Sequence, residues 1–170
     1  MKAYLDNVVA SGLARADLQP AMEMKAAEAI ARAAQASVLE IVTSTESHRE
    51  QDRAAEPSVR AVLHGKRDQV PRMSDDHKIL GFSQNTDPCG GYVVAPLVTD
   101  VVDETLLAQL QAAGLKRGDA YHIMYAAHGR CDWFVTLDER DILPRKTDIE
   151  ALCAPLRVVR PSELTVSLGF

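Results

Sequence analysis

Acidic side chains stand where this chain passes between apolar runs and helix-like segments. Asp6 closes "KAYL", Glu50 lies about two turns beyond "SVLEIVTS", Asp119 opens "DAYHIMYAAH", and Asp138 follows "DWFVTL". In an open parallel sheet, ligands bind outside the carboxyl ends of the strands, near the point where strand order reverses. Asp6 and Asp138 are expected at such ends, with Glu50 and Asp119 reaching the same edge from neighbouring helices. Four carboxylates gathered there would raise one another's pKa unless a divalent cation neutralised them. Oxygen donors without histidine or thiolate suit Mg²⁺ or Mn²⁺ rather than zinc. The chemistry such a set predicts is hydrolysis of a phosphodiester by a metal-activated water, with no protein nucleophile.

Each acid also has a plain structural reading. Asp119 fits a helix cap, Asp138 a turn residue and Glu50 a solvated helix glutamate. Asp6 is the hardest to explain that way, because a carboxylate closing a buried strand is costly to leave unpaired. Asp141, three residues beyond Asp138, is a further acid at the same place.

The elements that must position these residues follow from the hydrophobic pattern. "KAYLDNVV" predicts a short buried strand ending at Asp6, and Pro20 to Ala36 a helix with Met22, Ala26 and Ile30 on one face. Residues 37–44 predict a β-branched strand, and 45–63 a helix broken or restarted at Pro57. Helices at 103–115 and 119–128, a strand at 132–137, and a last strand at 156–161 before a polar end complete the reading. Alternating strands and helices predict a three-layer α/β/α, doubly wound, Rossmann-like sandwich with a mainly parallel central sheet. Residues 65–100, rich in glycine and proline, are an excursion; "MSDDHKIL" reads there as a short helix and "GGYVVAPL" as a short strand.

With 170 residues, 46% hydrophobic and 25% charged, the chain is expected to be one globular domain. A net charge of -5 leaves affinity for a polyanion to local basic patches. Lys116, Arg117, Arg130, Arg140, Arg145 and Lys146, with Arg49 and Arg53, flank the acids and could hold phosphates. The three cysteines, Cys89, Cys131 and Cys153, have no zinc spacing and read as buried thiols in a reducing cytoplasm. No signal peptide and no run of about 18 apolar residues is present, so a cytoplasmic protein without a membrane span is expected.

Other chemistries fit poorly. His122 and His128 are not on one helix face as a metal pair would be, and His122 reads as a packed or capping residue. There is no G-x-S-x-G elbow, and "DPCGGY" lacks both the P-loop and the dinucleotide pattern, which disfavours a Rossmann-type nucleotide binder.

Five stretches in order resemble the PIN domain family: "KAYLDNVV", "VTSTESHRE", "GLKRGDAYHIMYA", "DWFVTLD" and "LRVVRPSEL". Together they cover nearly the whole chain, residues 1–170 as a single PIN-like domain, with 65–100 poorly matched. The resemblance implies an Mg²⁺- or Mn²⁺-dependent endoribonuclease with RNA as substrate. Its metal site would be Asp6, Glu50, Asp119 and Asp138, with Thr136 behind it orienting a carboxylate or water. It also implies, for a toxin-like member, a small antitoxin protein as partner, and it allows a homodimer. The family often has Asp-x-Asn at the first site, whereas Asn7 here directly follows Asp6 and is expected in a supporting role. Glu46 competes with Glu50 as the second acid, and Asp141 is an auxiliary for the last. Asp132 precedes its strand, at the wrong end of the sheet. The alternative reading is a PIN-like RNA- or protein-binding module with weak or no catalysis.

Overall fold

The computed structural model describes residues 1–53, 57, 60–63, 78–86, 92–99 and 101–169; for 78–86 and 92–99 it describes the backbone. In chain order the elements are β1 (Lys2–Leu5), α1 (Asn7–Arg15), α2 (Ala21–Gln35), β2 (Glu40–Val42), α3 (Thr45–Asp52), β3 (Lys78–Thr86), β4 (Tyr92–Thr99), α4 (Glu104–Ala112), α5 (Arg117–His128), β5 (Trp133–Val135), α6 (Lys146–Leu152), β6 (Arg157–Val159) and α7 (Pro161–Leu168). A short 3-10 turn, Leu143–Arg145, precedes α6.

Four strands form one sheet in the order β2-β1-β5-β6, every pair parallel. Parallel strands covered on both faces need apolar side chains on both faces, and successive strand residues supply them. Tyr4, Val42, Phe134 and Val158 enter one core with Leu107, Leu110, Ile123, Met124 and Ile149 of α4, α5 and α6. Their neighbours Ala3, Leu5, Ile41, Val135 and Val159 enter the other, with Ile30 and Ala33 of α2 and Leu164 of α7. Helices therefore lie on both faces, and the fold is a doubly wound, Rossmann-like α/β/α sandwich. Strand order reverses at β1, whose chain successor β2 lies on one side and β5 on the other. The crevice at the carboxyl ends of β1 and β5 is thus the switch point of the sheet.

Several boundaries differ from the sequence expectation. The first strand stops at Leu5, one residue short of the expected Asp6, and Asn7, Val8 and Val9 open α1. Gly12 makes this packing feasible, since a Cβ there would meet Leu18 Cδ2 at 2.2 Å. The chain end is a helix, α7, instead of a polar tail; Pro161 starts it and the Glu163 carboxylate accepts from Arg160 N at 2.9 Å. A helix expected to reach Leu80 is replaced, from Lys78 onward, by β3, which pairs antiparallel with β4. The rest of the 65–100 excursion, with Cys89, lies outside the described residues. Among the described residues no helix is long and apolar enough to cross a membrane.

Candidate metal centre

Asp6 follows β1 at the switch point and is 5% exposed. It occupies the N-cap position of α1 but makes no side-chain capping bond. Its carboxylate faces across the crevice, where the Thr136 hydroxyl donates to Asp6 Oδ2 at 2.6 Å. Thr136, fully buried just past β5, also accepts from Asp138 N at 3.0 Å. One hydroxyl therefore ties the end of β1 to the turn that carries Asp138. Burial pushes the Asp6 carboxyl above its ordinary range, against the lowering influence of His122, the Thr136 hydroxyl and the Asn7 backbone.

Asp119 sits in the first turn of α5, whose N-cap is Lys116. The helix begins two residues ahead of Asp119, so the cap reading does not hold for it. Burial pushes its carboxyl up to about 6, with Asp138, Asp6 and Asp141 adding repulsion. Asp119, Asp138 and Asp141, all half-buried, present oxygens that lie within 4.8 Å of one another. Asp138 does serve the turn as well: its Oδ1 accepts from Arg140 N at 2.8 Å and Asp141 N at 2.9 Å. Lys116 Nζ holds Asp141 Oδ2 at 2.5 Å, a counter-charge supplied from within the chain.

Glu50 lies on the α5 side, where a Cβ added to Gly118 would stand 3.6 Å from Glu50 Oε1. Its Oε2 is 3.2 Å from His122 Nε2, an ion-pair distance short of an aligned hydrogen bond. Burial works to raise the Glu50 pKa, but His122, Asn7 and Arg53 outweigh it, and the net direction is down. Glu46 instead pairs with Arg49 at 3.5 Å and Arg53 at 3.7 Å. Asn7 Oδ1 accepts from Gln51 Nε2 at 3.2 Å, which leaves its amide nitrogen to face Glu50. Asp132 binds Lys2 N at 2.8 Å, at the opposite end of the sheet.

The acids thus fall into two groups joined by Asp6. Asp119, Asp138 and Asp141 make the close cluster among the described residues, while Glu50 stands apart against His122. The donors fit a hard cation: all are carboxylate oxygens, and the raised Asp119 pKa records burial together with repulsion, both of which a divalent ion would offset. The basic residues are largely engaged within the chain. Arg117 lies over the Tyr121 ring and donates to its hydroxyl, Arg145 donates to the Asp141 carbonyl, and Lys146 pairs with Glu163.

The sequence reads His122 as a packed or capping residue; it is packed, but nothing local announces its partners. It is 1% exposed, and its Nδ1 lies 2.6 Å from the hydroxyl of Tyr4, 118 residues away. No protein-family model, curated protein or solved structure matches the chain.

Proposed function

We propose that this chain is a PIN-like, Mg²⁺- or Mn²⁺-dependent endoribonuclease, the toxin of a pair whose partner is a small antitoxin. The observation that supports it best is the cluster of Asp119, Asp138 and Asp141 beside the buried Asp6 at the sheet's switch point. Asp119, Asp138 and Asp141 would hold the ion, with Asp6 close enough to perturb the Asp119 carboxyl. A bound Mg²⁺ or Mn²⁺ supplies Lewis acidity and lowers the pKa of a coordinated water.

The chain's own residues supply the rest. Thr136 holds Asp6 in place, and Asp138 is fixed by two backbone N–H groups, so both carboxylates are oriented before any ligand arrives. Asp6, Asp119 and their neighbours form a concentrated negative site that favours a dication over a monovalent ion. Exposed Lys116 is placed to exchange its carboxylate partner for a phosphate.

The same Lys116–Asp141 pair favours a second reading. A carboxylate already neutralised from within suits a binding module that keeps the shape without the catalysis. Incubation of wild type and Asp119→Asn with RNA, in Mg²⁺ or Mn²⁺ and in chelator, separates the two. The nuclease reading expects metal-dependent cleavage lost in chelator and in the variant. RNA retained without cleavage supports the module.

A further inference from the structure

We infer that His122 is a positioning residue whose Nε2–H, with the Asn7 amide, clamps the Glu50 carboxylate at the edge of the acidic crevice. The inference rests on the metal-site reading above and adds a buried polar chain to it.

Its geometry begins at Tyr4, fully buried in the middle of the sheet and stacked on Phe134 with ring centroids 5.4 Å apart. The Tyr4 oxygen meets three partners: Ser44 Oγ at 2.6 Å, Ser47 Oγ at 2.9 Å and His122 Nδ1 at 2.6 Å. A phenol has one proton to give and two lone pairs. Two serine hydroxyls donating to it leave the phenol proton for Nδ1, and the neutral ring then carries its proton on Nε2. In the protonated ring Nδ1 donates to the tyrosine, which then gives its proton to one serine, and Nε2 still carries a proton, so a donor faces Glu50 in either charge state. That Nε2 is buried, and Glu50 at 3.2 Å is its polar partner. An N–H so deeply buried has no water to turn to, which makes the contact costly to leave.

The second jaw is Asn7, oriented by Gln51 as described. Glu50 is thereby gripped from α1 and α5 while its own helix, α3, is anchored through Ser44 and Ser47 to the same tyrosine. The 1% exposure of His122 keeps it from touching a substrate, so it acts through Glu50.

Glutamine and asparagine separate the two halves of the histidine. In His122→Gln the amide reaches the Nε2 position and keeps a donor for Glu50. In His122→Asn it reaches only the Nδ1 position, satisfying Tyr4 but not Glu50. Crystal structures of the metal-free proteins should show the Glu50 carboxylate in its wild-type place in His122→Gln and displaced in His122→Asn. Mn²⁺ titration without RNA, followed by electron paramagnetic resonance, should show affinity within about threefold of wild type for His122→Gln. His122→Asn and Glu50→Gln should each lose about tenfold, and the double variant no more than either alone. Asn7→Ala, which alters a partly exposed residue, provides the same test on the second jaw should His122→Asn fail to fold. An unmoved Glu50 in His122→Asn and Asn7→Ala, or additive losses with Glu50→Gln, would overturn the clamp. If the wild type takes up no Mn²⁺, the metal-site reading fails, and the clamp is decided by the metal-free structures.

Discussion

The Thr136 hydroxyl donates to Asp6 Oδ2 at 2.6 Å across the junction of β1 and β5, and both residues are buried. The bond joins two strands whose chain positions are 130 residues apart. It places a hydroxyl under the least exposed carboxylate of the crevice.

Removing that hydroxyl strands a buried acceptor. Thr136→Val should cost about 1–3 kcal/mol of stability in the metal-free protein, the usual penalty for such a group. Thr136→Ser, which keeps the donor, should lose less. Urea unfolding of the three proteins, compared at constant slope, provides the check.

Asp119 should make metal uptake pH-dependent. Its carboxyl is raised to about 6 in the folded chain, and the ion requires the deprotonated form. Mn²⁺ affinity is expected to fall as pH drops from 7 through about 6, measured by titration calorimetry at each pH. An affinity flat between pH 7 and 5 would contradict the assignment.

The same shift has a stability consequence. A carboxyl whose folded pKa exceeds its unfolded value favours the fold while protonated. The benefit is complete below the unfolded value near 3.8 and is lost as pH rises through about 6. At pH 7.5 the metal-free protein therefore carries the cost of burying and crowding the charged carboxylate in full. Asp119→Asn should stabilise it there by roughly 1 kcal/mol after discounting for partial exposure, read as a higher melting temperature. In return the variant should lose the rise in melting temperature that Mn²⁺ gives the wild type.

Lys116 competes with any cation for Asp141. Lys116→Ala should strengthen Mn²⁺ binding about two- to fivefold, a modest effect because the lysine is 65% exposed. Weaker binding in the variant would show that the ammonium organises the cluster instead of blocking it.

Much of the architecture was legible because strand and helix periods are local signals. "SVLEIVTS" and "DWFVTL" hold β2 and β5, and alanine-rich 20–36 became α2. Losses came where local cues point both ways. The first strand ends one residue before the expected Asp6, because the chain must leave the sheet after Leu5 for Asp6 to reach Thr136. "RPSEL" carries Pro at a first helical position and Glu two residues on, a helix start that the polar composition disguised. The helix expected at 119–128 begins two residues earlier, because its start at Lys116 has no capping side chain to mark it. Asp141 was visible only as a neighbour of Asp138; its entry into the close cluster depends on the tight turn after β5. The Tyr4–His122–Glu50 chain could not be read at all, since its members meet only when β1, α3 and α5 pack together.

Cys131 and Cys153 are buried, and burial pushes their thiols up to about 12 and about 11. Both should react slowly with a disulfide reagent in the native protein and rapidly in urea. Mass mapping of the labelled sites distinguishes them from Cys89.

The central claim is that the acids at the switch point make a metal-dependent nuclease. The most direct measurement is the rate of RNA cleavage by purified protein in Mn²⁺ at pH 7.5, wild type against Asp119→Asn and Asp138→Asn. The account predicts cleavage by the wild type, abolished by chelator, and a fall of about 100-fold or more in each variant. Cleavage that persists in chelator, or equal rates in all three proteins, would contradict it.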